Sequence, residues 1–251
     1  MWTVDETATR DVVTVAPETT ADECGTILLQ RGLRHLPVVE EDGRPVALVS
    51  DDRVLGLIRR DLASVPAASV GDAPEILIDE NAGLKETIEK LLASRQTAAL
   101  IVDDDGVLTG IFTEHDVLRL AETALSLDRK VGELAHTAVD LVTIPLGTPA
   151  YAARSAMLEN HVRHLLVVTD KGRLAGVVSQ RDLAGLTETI LDAHMNAVVQ
   201  TVGPNDDLHK AISTMVRNSV GSIPVVESDH TPVGVLTRTD IMRALVDVLE
   251  T

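Results

Sequence analysis

Apolar positions in this chain come in short blocks that return in a fixed order. Ile27, Leu28 and Leu29 precede a stop at Gly32, a spacing that predicts an amphipathic helix from about Ala21 to Gly32, after a short strand at Val12-Val15. His35-Leu36-Pro37-Val38-Val39 reads as a strand, Gly43 as a turn, and Ala47-Leu48-Val49-Ser50 as a strand that ends on a hydroxyl residue and opens another helix. Three further copies follow, in which the last strand and helix start read Gly110-Ile111-Phe112-Thr113-Glu114-His115-Asp116, Gly176-Val177-Val178-Ser179-Gln180-Arg181-Asp182 and Gly234-Val235-Leu236-Thr237-Arg238-Thr239-Asp240. The pattern predicts an α/β (α+β) chain of four β-α-β-β-α units of about 55 residues, each too small for a robust core alone, so the units should pair.

The copies align without a gap. With Ser50, Thr113, Ser179 and Thr237 superimposed, the preceding 36 residues stay in register: Thr14, Leu77, Thr143 and Thr201 share one column, and Pro37, Leu100, Leu166 and Pro224 another. Gly43, Gly106 and Gly172 share a turn column in which the fourth copy has His230. The expected organisation is two tandem pairs. Residues 1–128 hold repeats at about 9–60 and 69–123, and residues 129–251 hold repeats at about 130–186 and 194–245. The boundary is expected between Ala124 and Val131; similar lead-ins, Val70-Gly71-Asp72-Ala73 and Val131-Gly132-Glu133-Leu134, precede repeats 2 and 3.

The strand exit is where chemistry concentrates. A hydroxyl residue at the start of a helix, with backbone N–H groups and the helix dipole converging on it, makes an anion-binding corner. Three copies place Asp three residues after the hydroxyl, whereas repeat 1 has Arg53. The same spacing also describes a capping box, in which hydroxyl and acid serve only the helix. His161 and His164 have the spacing of two metal ligands, yet no third ligand accompanies them.

Composition narrows the classes. The formal charge is −17, from 39 acidic and 22 basic residues, which argues against nucleic-acid binding. Trp2, Phe112 and Tyr151 are the only aromatics and form no stacking platform, so the cores must be aliphatic. So acidic a surface suits a cytosol of high ionic strength, and a halophilic source is expected. No apolar run approaches the roughly 18 residues of a membrane span and no signal-peptide pattern opens the chain, which points to a cytoplasmic protein. Cys24, the sole cysteine, can form no internal disulfide and reads as a small buried side chain. Neither a nucleophile elbow, a Gly-rich P-loop nor a metal-ligand cluster occurs, so no enzymatic activity is expected.

The register of strand-Thr, helix, apolar-Pro-Val-Val, Gly turn and Gly-apolar-apolar-[Ser/Thr]-x-x-Asp resembles the CBS domain, named for cystathionine β-synthase. The likeness covers nearly the whole chain and extends to stand-alone archaeal proteins labelled as related to inosine-monophosphate dehydrogenase. It implies pseudo-dimeric modules of two repeats each, stacked as a disc within one chain or across a homodimer. It also implies clefts for adenosine-containing ligands, AMP, ADP, ATP or S-adenosylmethionine, with magnesium entering only alongside ATP. By the same resemblance Asp116, Asp182 and Asp240 accept the ribose diol, and Thr113, Ser179 and Thr237 meet phosphate. Thr143, Arg163, His164 and Arg181 in repeat 3 complete one cleft; Thr201, Gly221, Ser222 and Arg238 complete another. Arg53 cannot accept a hydrogen bond, so the site of repeat 1 is expected to be empty or altered. The implied role is a sensor that reports to a separate effector protein; the alternative is a scaffold whose sites have decayed.

Overall fold

The computed structural model describes residues 3–56, 64–94, 96–123, 129–137, 141–180, 182–183, 186 and 189–249. The chain forms two compact units, Met1–Val117 with Val246–Thr251, and Leu118–Leu245. The expected boundary between Ala124 and Val131 lies largely outside the described residues.

In the first unit, α1 (Ala21–Arg31) starts where Thr20 Oγ1 accepts the Glu23 N–H at 3.3 Å and the Glu23 carboxylate accepts the Thr20 N–H at 2.9 Å. It stops at Gly32, whose φ of +64° only glycine takes readily. The antiparallel strands β1 (His35–Val39) and β2 (Pro45–Ser50) follow, with His35 opposite Ser50, and α2 (Asp51–Gly56) leaves directly from the hydroxyl. The strand expected over Val12-Val15 contracts to a single parallel bridge, Val15 to Val38, because Pro37 in the strand opposite has no N–H for the Val13 carbonyl, whereas Leu100 in the same column of repeat 2 donates to Ile76 at 2.9 Å. After α3 (Ala67–Val70), repeat 2 contributes β3 (Leu77–Ile78), α4 (Leu84–Ala93), β4 (Ala98–Val102), β5 (Leu108–Thr113) and α5 (Glu114–Thr123), in the sheet order β3-β4-β5.

The second unit repeats the plan. α6 (Val131–Leu134) and β6 (His136–Thr137) lead into β7 (Thr143–Pro145), α7 (Ala150–Glu159), β8 (His164–Val168) and β9 (Leu174–Ser179), with sheet order β7-β8-β9. The helix expected after Ser179 falls on a stretch described only at residues 180, 182, 183 and 186. Repeat 4 supplies the bridge Val202 to Val225, then α8 (Leu208–Arg217), β10 (Ser222–Val226), β11 (Pro232–Thr237) and α9 (Arg238–Leu249).

Within each unit the two repeats exchange their lead-ins. Thr9, ahead of repeat 1, bridges Ile111 in repeat 2, and Asp72, ahead of repeat 2, bridges Leu48 in repeat 1. In the second unit His136 pairs with Val235 and Asn196 with Val177. All four partners stand two residues before the hydroxyl, so every lead-in crosses the other repeat's strand beside its candidate corner. The Gly column explains this crossing. A Cβ on Gly176 would lie 2.8 Å from the Asn196 carbonyl oxygen, and one on Gly110 would lie 3.3 Å from that of Thr9. Repeat 1 has Ala47 there and reverses the fit, with Gly71 standing opposite the alanine methyl.

Strand alternation divides the core into layers. Ala47 and Val49 pack with Leu28, Leu36 and Cys24 beneath α1, while Leu48, between them, faces the other way and joins Ala98, Leu100 and Ile111 of repeat 2. Each fully buried Leu of this kind contributes about 1.5–3 kcal/mol relative to exposure, which is how two marginal repeats become one stable module. The turns add a second seam: the Leu108 N–H donates to the Gly43 carbonyl at 3.0 Å, and the Leu174 N–H to that of His230 at 2.9 Å. His230 takes φ 67°, in the left-handed region of its glycine counterparts at +83°, +81° and +74°.

Cys24 is fully buried and its thiol is pushed up to about 11 by burial. A thiol reagent is therefore expected to modify the protein only on unfolding, at a rate set by opening rather than by reagent. Because the folded pKa lies above the unfolded one, the contribution of Cys24 to stability is complete below about 9 and declines as pH rises towards 11. Denaturation of wild type against Cys24→Ala between pH 8 and 11 checks the sign.

Candidate ligand-binding site

Three corners share one geometry. Ser179 donates both its N–H (2.8 Å) and its hydroxyl (2.6 Å) to the same oxygen of Asp182, Oδ2, and the Asp182 N–H returns to Ser179 Oγ at 3.2 Å. Thr237 and Asp240 reproduce this with 2.8, 2.6 and 3.4 Å. Thr113 donates to Asp116 Oδ2 twice at 2.8 Å, and the return bond comes from the His115 N–H at 3.2 Å. Ser179–Asp182 and Thr237–Asp240 are thus helix capping boxes in full, whereas the Thr113 hydroxyl takes its return bond one residue earlier. The cap engages one carboxylate oxygen and the hydroxyl's only proton; a carboxylate has a second oxygen with its own lone pairs. Asp116 and Asp240 are buried, at 3% and 6% exposure, whereas Asp182 is exposed.

A further bond repeats in all four copies. The residue after the hydroxyl donates its N–H to the carbonyl just ahead of the second strand: Asp51 to Arg34, Glu114 to Thr97, Gln180 to Arg163 and Arg238 to Gly221, at 2.9–3.3 Å. It brings Arg163 to the Ser179 corner, where His164 stands opposite Ser179 in register, and sets Gly221 and Ser222 beside Thr237. The Arg238 guanidinium, on a residue only 6% exposed, packs over Gly221, where a Cβ would meet its Cζ at 3.4 Å. In the first unit His35 Nε2 and Thr97 Oγ1 hydrogen bond at 2.7 Å, so the start of β1 meets the residue just ahead of β4.

Thr143 is not adjacent to Ser179. It pairs with Leu166, which pairs with Val177, two residues short of the hydroxyl. Two strand spacings and two residues amount to roughly 10–12 Å, a span comparable with that of a nucleotide. Thr201, half-buried, holds the equivalent place through the Val202 to Val225 bridge. Arg181 lies outside the described residues.

Repeat 1 departs from the scheme. Arg53 Nε donates to Asp72 Oδ2 at 2.8 Å and its Nη2 pairs with the other oxygen, a bidentate contact to the lead-in that crosses from repeat 2. Asp72 holds the Arg53 guanidinium above its usual pKa range. The helix still starts, with the Arg53 N–H on Ser50 Oγ at 3.4 Å, so the acid is dispensable for helix initiation. Sequence reasoning had no means of finding Asp72, since its partner is set by the crossing and not by the repeat. Among the described residues no His/Cys/Asp/Glu group could hold a metal ion, which leaves His161 and His164 without a completed site. Among the described residues no helix is long and apolar enough to cross a membrane.

Comparison with known proteins agrees with this architecture. Protein MJ1225 of Methanocaldococcus jannaschii is 26% identical over 269 residues, covering 93% of this chain and 95% of that protein. The crystal structure of MJ1225, described as a candidate archaeal homologue of g-AMPK, matches with a TM-score of 0.85 at 24% identity, over 97% of this chain and all of the other. A conserved protein from Pyrococcus horikoshii matches with a TM-score of 0.72 at 22% identity over the same 97% of this chain and all of its own. Protein MJ1404 of M. jannaschii is 26% identical over 98% of this chain, which spans 62% of that longer protein. The CBS domain family matches at residues 4–60, 68–122, 131–187 and 190–247, one match for each repeat. With four family matches on four structurally equivalent units, the chain belongs to the CBS domain family.

Proposed function

We propose that this chain is a regulatory protein that binds an adenosine-containing ligand, AMP, ADP, ATP or S-adenosylmethionine, at the corners of repeats 3 and 4 and at that of repeat 2. The observation that carries the reading is the hydroxyl–acid corner, built three times and replaced in repeat 1 by an internal ion pair. Asp182 Oδ1 accepts the ribose diol. When ribose takes the carboxylate, the Ser179 hydroxyl turns its proton from Asp182 to the phosphate, joining the N–H groups of the turn around it. Arg163 supplies charge and His164 a second polar contact; Arg238 and Ser222 do so in repeat 4. Thr143 and Thr201 line the far end. Magnesium accompanies the ligand only if that ligand is ATP.

Because each corner is crossed by the other repeat's lead-in, a ligand touches both repeats of a module and favours whichever arrangement binds it better. The shift passes to an effector protein. Titration calorimetry with AMP, ADP, ATP and S-adenosylmethionine in high salt is expected to give dissociation constants between about 1 μM and 1 mM, or 8 to 4 kcal/mol. Heat from none of the four would overturn the reading.

The ion pair in repeat 1 favours a second reading, a scaffold whose sites have decayed. A double variant separates the two. Arg53→Asp with Asp72→Asn removes the ion pair, restores the acceptor and avoids setting two carboxylates face to face. If the corner is a ligand site, stoichiometry rises by one equivalent per chain; if corners serve only as caps, nothing changes. Arg53→Asp alone is expected to bind no better than wild type, because Asp72 then opposes the new carboxylate.

A further inference from the structure

We propose that the outer face of α7 is a self-association surface on which a second copy of this chain packs, the two helices antiparallel about a two-fold axis. The three equivalent helices, α1, α4 and α8, serve as internal controls. Tyr151, Ser155 and Leu158 follow the spacing i, i+4, i+7 and form one exposed stripe. At the position of Tyr151 the other helices carry Asp22, Lys85 and His209; at that of Ser155 they carry Thr26, Glu89 and the buried Ser213. Only α7 has all three positions exposed and none of them ionisable near neutral pH. Tyr151 is 59% and Leu158 71% exposed, and Ile190, bridged to Pro149 at the helix start and 53% exposed, widens the apolar area.

Charge selects the occupant. The chain carries 39 acidic residues, yet the stretch from Leu141 to Thr169 contains one, Glu159. Two molecules of charge −17 repel each other wherever carboxylates face carboxylates, and this stretch offers the approach least opposed. A basic partner would be drawn to the acidic surfaces elsewhere and gains nothing here. Geometry suits a like copy too. Tyr151 and Leu158 are separated by about 10 Å along the helix, so an antiparallel pairing sets each tyrosine on the other copy's leucine, an isologous contact made twice. Ser155 lies midway, close to the axis, and its small side chain permits helix axes about 8–9 Å apart.

The test is sedimentation of the full chain over a range of concentration and NaCl, together with cysteine cross-linking. A dimer is expected that tightens as salt screens the net charge. Tyr151→Glu with Leu158→Glu is expected to weaken it by about 100-fold or more, each change being felt twice per dimer, with the melting temperature unchanged. Leu29→Glu, at the equivalent and equally exposed place in α1, should leave it intact. Ser155→Cys should oxidise to a covalent dimer, since a two-fold axis brings the paired Cβ atoms to about 4 Å; Thr26→Cys, its counterpart, should not, and the buried Cys24 does not compete. A monomer at about 1 mM chain in both low and high salt, a concentration that populates even a weak dimer, would overturn the proposal. So would equal weakening by Leu29→Glu or equal cross-linking at Thr26→Cys. None of these readouts depends on nucleotide, so they stand apart from the ligand titrations.

Discussion

Asp182→Asn is expected to weaken ligand binding in repeat 3 by about 10- to 100-fold while leaving the melting temperature nearly unchanged, whereas Asp182→Ala is expected to lose both. The difference follows from how the carboxylate is divided. Oδ2 accepts the Ser179 N–H and hydroxyl, and an asparagine carbonyl oxygen in that place accepts both as well. The cap then directs the NH2 group to the place of Oδ1, where a donor stands in place of the acceptor that a ribose diol requires. Losing hydrogen bonds to a charged group costs about 1.5–3 kcal/mol, which sets the expected range. Alanine removes the cap also, at about 1 kcal/mol, or roughly 2–4 °C in a chain of this size. Calorimetric titration beside thermal melts measures the two effects separately. If Asn binds as wild type does, the carboxylate is a cap and no more.

Gly176→Val is expected to destabilise the second unit by about 2–4 kcal/mol, lowering the melting temperature by on the order of 10 °C. The new Cβ would stand 2.8 Å from the Asn196 carbonyl oxygen and 2.8 Å from Met195 Sδ. Methionine can move aside; the Asn196 backbone cannot without breaking its two bonds to Val177, at 3.0 and 2.9 Å. The lead-in of repeat 4 would lift from repeat 3, and the repeat 3 corner beside it would lose its flank. A melting temperature within about 1 °C of wild type, well below a 1 kcal/mol effect, would show that the crossing contributes little.

The helix from Ala21, the strand His35–Val39 and the strand Ala98–Val102 were legible because each is a local decision: apolar spacing, a capping residue and a turn glycine lie within a few positions of one another. The corner was legible for the same reason, since hydroxyl and acid are three residues apart and close their own ring of hydrogen bonds. What remained ambiguous was the partition of one carboxylate between helix and ligand, because a capping box and a ribose acceptor call for the same residues at the same spacing. The strand at Val12-Val15 is shorter than its apolar run, because its partner strand carries Pro37, which has no N–H for the Val13 carbonyl.

By itself, then, the sequence determined four equivalent units, their strands and helices, the three corners that keep an acid and the one that does not, because all of these rest on short-range periodicity repeated in register. Only the tertiary structure decided that each lead-in belongs to the other repeat's sheet, that Gly110 and Gly176 leave room for that crossing, and that Arg53 is held by Asp72. These are pairings between residues far apart along the chain, selected by the burial of two sheets against each other, and no local pattern encodes which distant backbone will arrive.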